Sequence, residues 1–403
     1  MKKNFKLLAA FAILGASVAF TSCKEDDPVV APTTVDTVSK VEVVSNITTN
    51  TTWTKDKTYI LTGRIFVTAG ATLTIEAGTV VKGRAGAGAN ATALVVARDA
   101  KIMAVGTATE PIIFTSEADQ IASGQIVSPN MPSTLSGLWG GLIVLGNAKI
   151  SVASNDVEAS IEGIPGTDLN GKYGGTNDAD NSGMLKYISI RHGGANIGEG
   201  NEINGLTLGG VGSGTTIENV EIVANQDDGI EFFGGSVNVT NAIVWNNGDD
   251  AIDTDQAWSG TLSNVVVINP GDKGFELDGP EGTFTSTGHT ITNGTMFAGS
   301  AQGIIDFDNN TDVYMTNIYF TDLNSTKDGG VIVQTNEGYA GYAVNGTYSS
   351  SNFEVTLPAG TTVAEFFADG SDVITTAVTT NTVGATTSVY AGWSWSAAES
   401  GKF

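Results

Sequence analysis

Hydrophobic and polar positions recur along this chain with a period in the low twenties, most openly over residues 219–278. Asn219-Val220, Asn241-Ala242 and Asn264-Val265 each open a β-branched run, followed by a polar turn and a second short run. Asn219 to Asn241 is 22 residues and Asn241 to Asn264 is 23, and the steps from Asp227 to Asp249 to Asp272 are the same. Short Val, Ile and Phe runs with period-2 alternation, divided by Gly, Asn and Asp, predict a solenoid made of strands. Alternation sends Ile230, Phe232, Ile252, Thr254, Phe275 and Leu277 inward. Glu231, Asp253 and Glu276 then form one outward column, with Asp255 and Asp278 beside the last two.

Upstream, Leu73, Leu94 and Leu142 head similar phrases that are expected to stack as apolar ladders, with residues 112–114 adding a strand and residues 115–137 looping out. Residues 151–182 break the pattern. They are polar, rich in glycine, and hold Asp168, Asn170, Asp178, Asp180 and Asn181, as an insert on a solenoid's binding face would. The phrase from Asn177 to Gly183 partly matches a calcium loop but lacks its terminal bidentate Glu. Asn219, Asn241, Asn264, His289 and Asn317 are expected to share a corner column, and His192 to share that of Asn225 and Asn247. Both histidines therefore read as structural turn residues. Beyond Gly329 the register fades, and residues 330–403, with Trp393 and Trp395, read as a β-rich C-terminal cap. A cap is needed because a solenoid's open end exposes unpaired strand edges. Trp53 is expected to cover the other end.

The first residues carry a different message. Lys2, Lys3 and Lys6 precede an apolar run over residues 7–20 that is too short to span a bilayer, and Thr21-Ser22-Cys23 follows. Such a segment predicts export. Its ending resembles a bacterial lipoprotein signal, in which Cys23 becomes the acylated N-terminus, and Lys24-Glu25-Asp26-Asp27 resembles the surface-export signal of Bacteroidota lipoproteins. The resemblance implies a lipid anchor in the outer membrane and exposure at the cell surface. Residues 1–22 are thus read as the signal, 23–49 as acylated N-terminus and tether, 50–329 as the solenoid and 330–403 as the cap.

The net charge is −24, and removing residues 1–22, which hold three lysines and no acid, takes it to −27. A phosphate backbone needs a basic footprint, so nucleic acid is excluded as a partner. Cys23 is the one cysteine, which rules out a disulfide within the chain. The 51 glycines fit an all-β, turn-rich coil.

Together these features resemble the single-stranded right-handed parallel β-helix of pectate-lyase-like proteins, over roughly residues 50–320. They resemble more narrowly the β-helical surface lipoproteins of the Bacteroidota. That fold hosts lyases, hydrolases, adhesins and phage spikes, so function must come from the site. Carboxylates stacked ~4.8 Å apart repel by ~1 kcal/mol per pair even in water. A calcium ion near Asp227, Asp249, Asp250, Asp253 and Asp272 would offset that, and the plain alternative is a solvated acidic face. Asn225-Gln226-Asp227-Asp228 and Gly248-Asp249-Asp250 also resemble the Asp motifs of polygalacturonases, but no Arg-Ile-Lys motif occurs and Gly288-His289-Thr290 matches only in part. Asp227, Asp249, Asp250, Arg191 and His192 are the candidate catalytic groups. Phe233 and Trp258, with Asp255 and Asp278, are the candidates for stacking on and binding sugar. Three readings stand: a non-catalytic surface protein that binds a glycan or envelope partner, a carbohydrate-active lyase or hydrolase, and a structural rod or adhesin.

Overall fold

The corner residues shape the coil. In this computed structural model, which describes residues 38–197, 202–299, 301–307, 310–323, 351–367 and 371–403, the strands stack in parallel register. Tyr187, Asn219, Asn241, Asn264, Asn293, Asn317 and Asn352 all have φ between 50° and 60°. Among non-glycine residues asparagine adopts this left-handed region most readily, which is why it recurs at the bend. The bend divides each long strand, such as Thr216–Val223 and Asn238–Trp245, into two limbs on different faces. Side-chain amides link the rungs: Asn241 Nδ2 donates to Asn219 Oδ1 at 2.9 Å, and Asn264 Nδ2 donates to Asn241 Oδ1 at 2.8 Å.

This register corrects two expectations. Asn293, not His289, holds the corner between Asn264 and Asn317, because Ser263 pairs with Thr292 and Val265 with Gly294. His192 lies one position earlier than expected, in the column of Ala224 and Asn246, because Tyr187 rather than Lys186 stands opposite Asn219.

A second sheet closes the coil. It runs from Arg64–Val67 through Ala93–Val96, Leu142–Leu145, Leu206–Gly209, Ile230–Phe233, Ile252–Asp255 and Phe275–Leu277 to Ile305–Phe307. Leu94 pairs with Leu142 directly, so a single turn with a long excursion separates them. Leu73 belongs to the other sheet, opposite Ile102. Ile230, Phe232, Ile252, Thr254, Phe275 and Leu277 are all fully buried, as the alternation requires. One continuous apolar core therefore runs along the axis, from Trp53 to Phe353 and Phe367.

Residues 151–182 fold over the outer face of the early rungs of the second sheet. Ile150, Val152, Ile161, Ile164 and Tyr173 cover Val95, Ile143 and Leu145 in a satellite core. In the candidate calcium loop, Asp178 is paired with Lys149 Nζ at 2.6 Å, and earlier in the insert Asp168 accepts from Asn170 N at 2.9 Å to cap a short helical turn. These acids already have partners.

The C-terminal region does two separate things. Ser351–Val355 and Thr375–Ala377 add further rungs, and Phe366 and Phe367 close the core. Residues 385–403 instead run back along the first sheet, where Tyr390, Trp393 and Trp395 pack on Val223, Ile243, Trp245, Val266 and Ile268. The expected cap is thus partly a flank cover. Residues 324–350, which include the start of the expected cap, the expected lipidation site Cys23, and the expected signal and acidic segments lie outside the described residues.

Where rungs meet at the turn before the second sheet, there is no room for a side chain. A Cβ on Gly271 would lie 1.9 Å from the Gly248 carbonyl oxygen, and one on Gly248 would lie 2.0 Å from that of Gln226. Gly271→Ala is expected to cost about 1–3 kcal/mol, read as a lowered thermal midpoint.

Candidate functional site

The turns that enter the second sheet carry pairs of acids, and the strands carry more. Glu231 stands opposite Asp253, Asp253 opposite Glu276, and Glu276 opposite Asp306. Extending that register back through the turns aligns Asp227 with Asp249 and Asp272. It aligns Asn204 with Asp228, Asp250 and Lys273 in the next column. The five acids expected to hold calcium therefore share one face. Asp227, Asp228 and Asp249 present one oxygen each within 4.8 Å of one another, as do Asp228, Glu231 and Asp253, and Asp249, Asp250 and Asp272. Asp228, Glu231 and Asn204 lie in this grid beside the expected metal ligands but were not counted among them. Aligning Leu206 with Ile230 would have placed Asn204 beside them.

Charge is poorly compensated here. Lys273 Nζ is shared among Asp272 at 3.1 Å, Glu276 at 3.3 Å, Asp250 at 3.6 Å and Asp306 at 3.8 Å. Burial disfavours its charged form, but Asp250, Glu276 and Asp272 outweigh that and hold it protonated. Burial first, and then the neighbouring acids, push the carboxyls upward: Asp227 to about 6, Asp255 to about 7, and Glu162 of the insert to about 7. Asp228, Glu231 and Asp253 are raised well above the ordinary range for the same reasons. Asp250 is pushed up to about 10 by burial and by its hydrogen bond with Glu276. That bond holds Glu276 below its usual range, in spite of burial. Without a cation the face therefore retains protons.

The other candidates lie elsewhere. Arg191 and His192 are fully buried on the first sheet beneath Trp395, whose ring lies 5.0 Å from the Arg191 guanidinium. Their burial corrects the expectation that either could act on a substrate at this face. Trp258 is 1 % exposed and lies inside the coil, stacked on Phe232 at 4.0 Å and against His289 at 5.0 Å. It cannot stack on a sugar. Gln256 and Ala257, with φ of 55° and 62°, turn the chain back inward just before it. Trp258→Ala is expected to cost about 3–5 kcal/mol by denaturant unfolding, without altering cation binding. Phe233 is on the outer side, half-buried against Tyr173 at 6.0 Å, in register with Asp255. Asp278 lies just beyond the strand Phe275–Leu277, and its backbone N–H donates to Thr254 O at 2.8 Å.

This coil of parallel rungs matches the family model of the pectate-lyase like beta helix domain over residues 45–398. The chain belongs to that family. No curated protein and no solved structure matches it. A pectate-lyase-like β-helix fits either carbohydrate binding or carbohydrate-active chemistry, so the choice rests on the acidic face. Glycosidases need carboxyls ~5–5.5 Å or ~6.5–9.5 Å apart, with a sugar or a water between them. Here Asp250 and Glu276 are hydrogen-bonded to each other, and the oxygens of each triad lie within 4.8 Å. That spacing suits a shared proton or a shared cation.

Proposed function

We propose that this pectate-lyase-like protein is a non-catalytic surface lipoprotein, anchored in the outer membrane through Cys23, that holds a glycan or another envelope partner against its acidic face by way of bound calcium. One observation carries the reading: a grid of carboxylates on one sheet face whose basic partner, Lys273, is already divided among four acids. Calcium takes six to eight oxygens and leaves positions open to ligand oxygens where protein supplies fewer. Asp249 is exposed and Asp227 and Asp272 are half-buried, so an ion there would remain accessible. A lyase would need a basic group beside the metal. Lys273 stands beside these acids but is held protonated by them, and Arg191, His192 and His289 are buried in other parts of the coil, with His289 lowered to about 3 by burial.

The test is a glycan array run on the chain from Val38, which keeps the strand Ser39–Val43 that pairs with Lys57–Leu61 where a tether was expected, with calcium and with chelator, alongside an assay for reducing and unsaturated ends. Calcium-dependent retention without product supports a receptor. Product formation that Asp250→Asn abolishes would replace it with an enzyme, and silence in both assays would leave a structural rod.

A further inference from the structure

The acidic face has an inner part that a ligand-binding role does not explain. Glu231 is 7 % exposed and Asp228 8 % exposed, and Asp253 beside them is half-buried. None of the three forms an ion pair with a lysine or arginine among the described residues. Lys273 stands two rungs further on, in the column of Asn204, Asp228 and Asp250, and neutralises the downstream acids. Upstream, the same column offers Asn204 instead.

Asn204 supplies the second observation. It is 1 % exposed, and its Nδ2 donates to Glu231 Oε2, which fixes the amide head at the triad. Its Oδ1 is buried with no hydrogen-bond partner. A buried carbonyl without a donor is costly, and so is a set of buried carboxylates without a counter-charge. A metal ion would satisfy both. One Asp228 oxygen, Oδ1, already accepts from Asp250 N at 2.9 Å, leaving the other free to ligate.

We infer that Asp228, Glu231, Asp253 and the Asn204 side-chain carbonyl form an inner cation site, adjoining the accessible acids Asp227 and Asp249 through Asp228, which holds one hard divalent ion as a fixed part of the fold. The donors are all oxygens, which selects calcium or magnesium over thiolate- and imidazole-seeking metals. Calcium fits better. It tolerates irregular geometry and a mostly protein-made shell, whereas magnesium demands a near-ideal octahedron and retains waters that a buried site does not admit. The inner ion takes the place that Lys273 fills further along the coil. This goes beyond the proposed receptor role and holds whether or not the outer acids bind a glycan.

The test uses the full chain freed of metal by chelator, titrated with calcium at pH 7.5, with calorimetry and thermal unfolding as readouts. Wild type is expected to take up a tight ion whose binding raises the unfolding temperature. Glu231→Gln should weaken that ion by about a hundredfold and remove the calcium-dependent rise, while Glu110→Gln, an exposed acid away from this face, should leave both intact. Asn204→Asp, which adds a charged ligand without adding bulk, should tighten binding by about tenfold and guards against a folding defect in the first variant. Equal calcium uptake by wild type and Glu231→Gln, or an unchanged affinity in Asn204→Asp, would overturn the inner site. A glycan that still binds through calcium in Glu231→Gln but not in Asp249→Asn would show that the outer reading stands by itself.

Discussion

Freed of divalent cations, the protein is expected to lose stability as pH rises from about 4 to about 7. Asp227, Asp255 and Glu162 are raised to about 6, about 7 and about 7, chiefly by burial. In the unfolded chain such groups ionise near pH 4. Between those values the folded state binds more protons than the unfolded state, so stability is complete below about pH 4 and is withdrawn as each buried group is forced to ionise. Each contributes on the order of 3–4 kcal/mol over that range. Asp228, Glu231 and Asp253 shift in the same direction and extend the loss. Calcium should reverse the trend, because it replaces the retained protons and binds the ionised form. Calorimetric scans from pH 4 to 8 check this: the midpoint should fall with pH in chelator and stay level or rise in millimolar calcium. A midpoint in chelator that rises across this range would contradict the buried-acid reading.

Replacing Glu221 with alanine is expected to cost about 3–5 kcal/mol. Arg191 and Glu221 are both wholly buried, with Nη2 and Oε2 3.6 Å apart. Arg191 Nε donates to Ser189 Oγ at 2.7 Å, and Ser189 Oγ donates in turn to Glu221 Oε2 at 2.5 Å. The other carboxylate oxygen accepts from Ser396 N and Ser396 Oγ, each at 2.7 Å. Removing the carboxylate strands a guanidinium in the core and frees the C-terminal segment that seals it. Urea unfolding should show the loss, and limited proteolysis should cut within residues 385–403 earlier than in wild type. The exposed pair Lys55–Glu110, at 2.5 Å, should matter little when broken, since solvent screens it.

The repeat was legible because its corner demands a left-handed residue, and asparagine marks that demand at a fixed spacing. Where asparagine is absent the register slips. Tyr187 takes the corner at φ 50°, so counting from Lys186 shifted His192 by one position. Strand alternation correctly sorted inward from outward residues while the strands lasted, and placed Glu231, Asp253 and Glu276 in one column. It failed one turn later, where two successive left-handed residues send Trp258 into the core. Asn204 escaped notice because its rung shares only a short apolar phrase with its neighbours. The run of residues 385–403 along the flank has no repeat signal, since its contacts with Arg191, Glu221 and Trp245 are made across distant parts of the chain.

Equilibrium dialysis of the full chain against calcium tests the central claim most directly, at pH 7.5 and again at pH 5. If the acidic face is a cation site, ions bind at pH 7.5 at submillimolar calcium, and occupancy falls at pH 5 as protons compete for the same carboxyls. Absence of bound calcium at millimolar concentration and pH 7.5 would contradict it, and the face would be a proton-holding acidic surface with no metal in its function.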